Sequence, residues 1–345
     1  MLPYDRAVSR ILVTGASGFV GRALLPVLAP HHSLVLAQRR ADAAATTSGE
    51  AHSAVETRIV GEVGPDTDWS SALRGVDAVV HLAAHVHRTG AHSDADTATF
   101  MRVNCAGTRR LADAALTAGV GRFVFLSSVK VNGDASEDRP FRESDRPRPA
   151  DAYARSKWAA EQALAALAAN GGTMETIILR PPLVYGPGAK ANFRALVKLC
   201  LVGVPLPLGG IENQRSLIYS GNLADAIGCV LAAPLLSDNR RGRGCRTYFV
   251  RDGTDLSTGD LVRRLAAGIN REARLPVLPP DWLRAALRLC GQGQAADRLL
   301  GSLAIDDSRF RADYGWRPPY TVDEALAITA RWFRDAAGRS QAAGP

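Results

Sequence analysis

Three consecutive apolar residues, Ile11-Leu12-Val13, lead into Thr14-Gly15-Ala16-Ser17-Gly18-Phe19-Val20-Gly21, and helical spacing then continues through Arg22–Leu28. A second apolar run, Leu34–Ala37, completes a strand, turn, helix, strand unit. Further short runs at 57–61, 78–82 and 122–127 predict strands, with helical patterns around 69–74 and 98–118 between them. A helix is expected at 152–169, followed by a strand at Glu175–Leu179. Strands alternating with helices predict an α/β fold built on a doubly wound parallel sheet. From Arg180 the texture changes to Pro- and Gly-rich segments, Arg-Pro-Pro-Leu-Val-Tyr-Gly-Pro-Gly and Val-Pro-Leu-Pro-Leu-Gly-Gly.

The glycine turn gives the first half a role. Gly15 permits a tight bend, Gly18 lets backbone approach a pyrophosphate, and Gly21 lets the following helix pack close to its strand. The expected division is therefore a Rossmann domain over 8–180 and a smaller substrate-binding lobe mainly over 181–335, with segments returning to the first domain. Residues 336–345 read as a disordered tail. The end of the second strand should choose between dinucleotides. It carries Gln38-Arg39-Arg40 rather than an acidic residue, and an arginine there accommodates a 2′-phosphate. NADP(H) is favoured, with NAD(H) as the alternative.

Tyr153-Ala-Arg-Ser-Lys157 supplies the chemistry. A tyrosine and a lysine at i, i+4 share one helix face, where an ammonium favours the phenolate and lowers the phenol's pKa. Such a tyrosine takes a proton from an alcohol or returns one to a carbonyl oxygen. Ser127-Ser128 ends the strand Phe123-Val-Phe-Leu, which delivers a hydroxyl to the carboxyl edge of the sheet, where ligands bind in this architecture. Ser128, Tyr153 and Lys157 are the expected catalytic residues, for hydride chemistry on a secondary alcohol or ketone.

With these motifs the chain resembles the extended short-chain dehydrogenase/reductases of the nucleotide-sugar epimerase/dehydratase family, from about residue 10 to 335. The likeness rests on Thr14–Gly21, His81-Leu-Ala-Ala, Asn104-Cys-Ala-Gly-Thr108, Ser127-Ser128, Tyr153/Lys157, Arg180–Gly188 and Arg215-Ser-Leu-Ile-Tyr219. It implies that Tyr153 moves the proton, that Lys157 grips the nicotinamide ribose and tunes Tyr153, and that Ser128 binds the substrate oxygen. Ser17, Phe19, Val20, Leu82, Ala83, Ala84, Asn104 and Ser127 join the glycines, Arg39 and Arg40 as cofactor contacts. Lys130, Asn192 and Arg215 are candidate substrate contacts, Arg215 holding a diphosphate as a guanidinium fork can. The resemblance also implies a UDP-sugar substrate and a homodimer through helices 98–118 and 152–169.

Departures from the family pattern narrow the reaction. The family's 4,6-dehydratases carry an Asp-Glu pair directly after the serine or threonine; here stand Val129-Lys130, so the carboxylates that elimination needs are missing. Val131-Asn132-Gly133 replaces the commoner Val-Tyr-Gly, and Leu183 replaces an asparagine that often contacts the sugar nucleotide. The pattern most resembles the branch that reduces the 4-keto group of a UDP-4-keto-6-deoxy-N-acetylhexosamine for surface polysaccharides. A UDP-hexose 4-epimerase is the alternative, and a non-catalytic NADP(H) sensor the second. A reductase of a non-nucleotide ketone, such as a sterol or flavonoid, would leave Arg215 without a diphosphate.

Composition adds limits. The chain has 345 residues, 46% of them hydrophobic, with a net charge of +8 that suits a phosphate-bearing small substrate. Cys105, Cys200, Cys229, Cys245 and Cys290 are scattered, as buried thiols of a reducing compartment would be. With neither a signal-like start nor a long uncharged apolar run, a cytoplasmic protein without an integral membrane segment is expected. His81, His85, His87 and His92 lack a carboxylate or cysteine spaced to complete a metal site, so no metal is expected. The arginine run Asn239–Arg246 lacks interleaved aromatics and reads as a solvated loop, with no nucleic-acid partner. Residues 281–300 predict an amphipathic helix packed on the second lobe, with membrane-surface contact as the alternative.

Overall fold

In a computed structural model, residues 9–40, 55–86, 94–235, 244–291 and 293–342 are described. The strands are β1 (Arg10–Thr14), β2 (Ser33–Gln38), β3 (Val55–Ile59), β4 (Ala78–His81), β5 (Arg122–Leu126), β6 (Glu175–Arg180), β7 (Leu183–Tyr185), β8 (Leu217–Tyr219) and β9 (Cys245–Phe249). The helices are α1 (Phe19–Leu28), α2 (Asp94–Phe100), α3 (Gly107–Thr117), α4 (Ala152–Ala169), α5 (Ala191–Val202) and α6 (Ser220–Ala232). They continue with α7 (Thr258–Ala267), α8 (Pro280–Leu289), α9 (Gly293–Leu300), α10 (Ser308–Tyr314) and α11 (Val322–Ala342).

Seven parallel strands form one sheet in the order β3-β2-β1-β4-β5-β6-β9. The order reverses between β1 and β4, and in open parallel sheets ligands bind in the crevice at that switch. Successive strand residues face opposite ways. Ile11 and Val13 therefore join Leu24 and Leu28 of α1 and Leu223 and Ile227 of α6 on one side. Leu12, Phe123 and Phe125 join Leu111 of α3 and Ala160 and Leu164 of α4 on the other. A further core gathers Phe193 and Val197 of α5, Leu261 and Leu265 of α7, and Leu326 and Phe333 of α11. Beside it β7 and β8 pair in parallel, which brings the Arg180–Gly188 and Arg215–Tyr219 segments together.

Buried Arg122 locks the bottom of the sheet. Its Nε donates to Glu175 Oε2 at 2.6 Å, and its Nη1 and Nη2 donate to the carbonyls of Val230, Leu231, Ala233 and Pro234. A cation at the carboxyl end of α6 meets the negative pole of that helix.

Four expectations change. Residues 69–74 form turns rather than a helix, closed by one bond from Leu73 N to Trp69 O at 3.0 Å, because so short a segment cannot offset the cost of nucleation. The 98–118 pattern is broken by a π-helical turn at Met101–Ala106. The 281–300 pattern is two helices, α8 and α9. Residues 336–342 continue α11 instead of beginning a tail. Of the Asn239–Arg246 run, 239–243 lie outside the described residues, while Cys245 and Arg246 open β9.

Candidate active site

The turn after β1 is shaped by what its glycines exclude. Gly15 has φ +71°, and a Cβ there would stand 2.7 Å from the Ala83 nitrogen. A Cβ on Gly21 would meet the carbonyl oxygens of Gly15 and Ala16 at 2.4 Å. Helix α1 opens with neither a side-chain cap nor an acidic residue in its first turn, which leaves its N–H groups and positive potential for an anion. Ser17 is exposed, and Phe19 packs onto the core shared by α5, α7 and α11. This cradle fits a dinucleotide pyrophosphate. Arg39 and Arg40 stand exposed just past β2, where Gln38 is half-buried.

Behind the turn, a buried relay fixes the β4 edge. Thr108 Oγ1 donates to the Asn104 carbonyl at 2.7 Å, so its contact with His81 Nε2 at 3.0 Å must be donated by the imidazole. His81 Nδ1 then accepts from Thr14 Oγ1 at 2.7 Å, and Thr14 Oγ1 accepts from Ala83 N at 3.2 Å. Burial pushes the His81 pKa down to about 3, with the Lys157 charge adding to the effect, so the ring is neutral. Both of its nitrogens are engaged. Among the described residues no group of histidines, cysteines and carboxylates could hold a metal, and His87 and His92 lie outside that description.

The π-helical turn aims Asn104 at the next strand end. Its Oδ1 accepts from His85 N at 2.7 Å, and its Nδ2 donates to His85 O and Ser156 Oγ, both at 3.0 Å. Ser156 Oγ donates to the Tyr153 carbonyl at 2.7 Å. Asn104 therefore ties His85, just past the Leu82–Ala84 segment, to α4. Leu82, Ala83 and Ala84 are half-buried along that edge.

Adjacent serines past β5 point opposite ways. Ser127 is buried and donates to Glu161 Oε1 at 2.5 Å. Ser128 is half-buried with extended backbone, and its Oγ accepts from Lys130 N at 3.2 Å. That contact uses a lone pair, which leaves the Ser128 hydroxyl hydrogen for a substrate oxygen.

Helix α4 carries Tyr153, Lys157 and Glu161 on one face at four-residue intervals. Asp151 caps it, accepting from Ala154 N at 2.7 Å. Lys157 is buried. Its Nζ donates to the Leu126 carbonyl at 2.8 Å and lies 4.5 Å from the Phe125 ring centre. Burial pushes its pKa down to about 7, against the opposing pull of Glu161. Tyr153 departs from expectation: burial, and then the Asp151 charge, push its phenol up rather than down. The Lys157 ammonium is directed to the strand carbonyl and the Phe125 face instead of offsetting that burial.

Beneath these residues Glu161 and Arg180 form a buried pair. Arg180 Nε donates to Glu161 Oε1 and Oε2 at 2.9 and 3.2 Å, Nη2 donates to Oε2, and Nη1 donates to Asn132 Oδ1 at 2.8 Å. Glu161 escaped sequence reasoning although it lies one helical turn beyond Lys157. Arg180 and Asn132 were legible only as motif residues, since nothing in the chain announces contacts across 19 and 48 positions.

The substrate candidates are placed differently. The Lys130 ammonium is held by Asp151 Oδ2 at 2.5 Å, with Asp134 Oδ1 at 3.7 Å. Arg215 donates through Nη1 to the carbonyls of Arg298 and Gly301 at 2.5 and 2.9 Å, so one edge of its fork is spent on the end of α9. Asn192 falls in the first turn of α5. Tyr185 of the Pro-Gly motif donates to buried Asp252 at 2.7 Å and stacks on Phe193, which makes it part of the core shared by α5, α7 and α11.

A family model described as the NAD dependent epimerase/dehydratase family matches residues 11–241. A Vibrio cholerae protein named UDP-glucose 4-epimerase is 37% identical over 340 residues, covering 97% of this chain and 99% of that protein. An Escherichia coli O157:H7 protein named N-acetyl-alpha-D-glucosaminyl-diphospho-ditrans,octacis-undecaprenol 4-epimerase is 28% identical, covering 78% of this chain and 75% of that one. Among solved structures, MoeE5 in complex with UDP-glucose and NAD superposes with a TM-score of 0.70 at 26% identity, covering 95% and 99% of the two chains.

Proposed function

The chain belongs to the NAD dependent epimerase/dehydratase family, and from that membership and the site above we propose that it is a UDP-hexose 4-epimerase. The observation that carries the reading is the likeness over 97% of the chain to a protein named for that activity. The site agrees with it. Val129-Lys130 offers no carboxylate pair for elimination, Ser128 follows β5, and Lys157, one turn beyond Tyr153 on α4, reaches the Leu126 carbonyl at the end of that strand. This moves the alternative of the sequence reading ahead of the 4-keto reductase.

A bound nicotinamide dinucleotide would supply the carbon that accepts hydride from the sugar's C4 and returns it. The cradle at Gly15, Gly18 and Gly21 would hold its pyrophosphate, and the Leu82–Ala84 edge and Lys157 its nicotinamide end. The chain's own residues manage the proton. Ser128 donates to O4, fixing that oxygen beside Tyr153. Tyr153 takes the O4 proton as the alcohol is oxidised and returns it once the 4-ketose presents its other face. The burial that raises the phenol pKa holds the proton on Tyr153 until the ketone oxygen takes up charge, and it opposes the first transfer, for which Tyr153 must be a phenolate. The free edge of Arg215 would meet the UDP diphosphate. A homodimer through α3 and α4 belongs to the same reading.

One observation favours the reductase: exposed Arg39 and Arg40, in place of an acidic residue after β2, suit the 2′-phosphate of an exchangeable NADPH. One experiment separates the two readings. Purified protein is incubated with UDP-glucose or UDP-N-acetylglucosamine and no added nucleotide, and the products are resolved by NMR. Conversion to the 4-epimer, with NAD released on denaturation, supports the epimerase. Absence of conversion, with NADPH oxidised by a UDP-4-keto-6-deoxy-N-acetylhexosamine, would overturn it in favour of the reductase.

A further inference from the structure

Helix α8 has no buried residue, and its outer face is apolar. Trp282, Ala285, Ala286 and Leu289 stand at i, i+3, i+4 and i+7, and all four are exposed, Trp282 at 73% and Leu289 at 90%. Leu283 and Leu287, on the opposite face, are half-buried, and Leu283 packs on the second lobe's core. The helix is therefore docked as the sequence predicts, but through one of two apolar faces.

The outward face continues into its neighbours. Val277 and Leu278 precede the helix, and Val202 and Val204 end the adjacent α5 segment, all four exposed. Backbone bonds from Leu206 N to Arg274 O at 2.9 Å and from Gly209 N to Pro276 O at 3.3 Å hold the two segments side by side. Monomers scatter single exposed apolar residues, whereas a contiguous patch marks an interaction surface.

Charge indicates the partner. Residues 191–210 and 271–290 together hold six arginines and lysines against two acids, Glu272 and Asp281. Asp281 is paired with Arg284 at 2.9 Å and Arg288 with Asp297 of α9 at 3.6 Å, while Arg194, Lys198 and Arg274 stand exposed. A second copy of the chain would bring the same positive surplus to the contact, so like charges would meet. An anionic bilayer instead offers headgroups for the arginines, an interfacial layer for the Trp282 indole and acyl chains for Leu289.

We propose that the face formed by α8 and the end of α5 is a peripheral docking surface for anionic membrane, on which the protein lies without inserting a span. Among the described residues no helix is long and apolar enough to cross a bilayer. The surface is joined to the substrate lobe. Helix α8 packs on α9, whose end accepts the Arg215 guanidinium, so docking would hold the candidate diphosphate arginine at a fixed orientation to the bilayer.

The test uses the whole protein and vesicles of phosphatidylethanolamine with phosphatidylglycerol, with pure phosphatidylcholine vesicles as the comparison. Flotation and the blue shift of tryptophan emission report binding. Wild-type protein should float with the anionic vesicles, be released by high salt, and leave phosphatidylcholine behind. Trp282→Glu and, independently, Val202→Glu should each weaken binding at least about tenfold while turnover of soluble UDP-hexose stays unchanged. Both side chains are exposed, so folding is preserved. Failure of the wild type to float at low salt would overturn the proposal. So would conversion of a dimer to a monomer by Trp282→Glu, which would make the face a contact between copies.

Discussion

Replacing Arg180 by methionine isolates the electrostatic frame under the active site. Arg180 and Glu161 are each 3% exposed and share three charge-assisted contacts, and a fourth runs from Arg180 to Asn132. Methionine keeps much of the apolar stem but leaves the Glu161 carboxylate buried with the Ser127 hydroxyl as its remaining hydrogen-bond partner and Lys157, one helical turn away, as its nearest charge of opposite sign. Removing one partner of such a pair costs about 3–5 kcal/mol, because a buried charge is left uncompensated, whereas an apolar replacement of both partners is often neutral. Urea unfolding, followed by tryptophan emission with the denaturant slope held common, should show a loss of that size in Arg180→Met. The double variant Glu161→Leu/Arg180→Met should recover most of it, since its partners in the frame become apolar together. Epimerisation should fall in the single variant, because Glu161 also seats Ser127 and lies one turn from Lys157. A single variant within about 1 kcal/mol of wild type would refute the reasoning, as would a double variant as unstable as the two singles summed.

Tyr153→Phe should leave the circular dichroism spectrum and dinucleotide binding intact while turnover falls by about 10²–10⁴-fold, the usual worth of a positioned acid–base group. Lys130→Met should free the Asp151 charge that pushes the Tyr153 phenol up, moving the basic limb of the rate–pH profile to higher pH with little change in KM. A large rise in KM with the profile unmoved would return Lys130 to the substrate-contact role expected from sequence. His81 has its pKa depressed to about 3 from an ordinary 6.5, so its contribution to stability is complete above pH 6.5 and is lost as the pH falls towards 3. Over the middle of that window the slope should approach about 1.4 kcal/mol per pH unit. Unfolding of wild type and His81→Asn at several pH values would show a shallower acid slope in the variant.

What could be read from the sequence follows the range of the interactions. The Gly15–Gly21 turn and the Tyr153–Lys157 spacing are local geometry, so the chain displays them directly. Strand positions were legible because β1, β4, β5 and β6 are nearly continuous apolar runs buried on both faces. The 69–74 pattern misled because Trp69, Ala72 and Leu73 are apolar for burial against the sheet, not for helix formation. Helical spacing around Met101–Ala106 could not reveal a π turn, nor the Asn104 bonds to His85 and Ser156 that accompany it from 19 and 52 positions away. The contacts of Lys130 and Arg215 depend on Asp151 and on the end of α9, which the fold brings to them. Formal charge on its own does not say which partner a lysine or arginine will find.

Strand β9 bears on whether the molecule can be divided. It comes from residues 245–249, after the β7, β8 and α5 segments, yet it lies against β6, whose six residues are all buried. A chain severed after Arg180 would keep the glycine turn, the serines and the tyrosine–lysine helix. It would also expose the unpaired edge of a strand containing Ile177, Ile178 and Leu179, a ready template for self-association. The fragment that bears nearly every candidate catalytic group should therefore precipitate rather than bind dinucleotide. Residues on both sides of Arg180 thus complete one sheet, and the chain cannot be cut there without baring a strand edge.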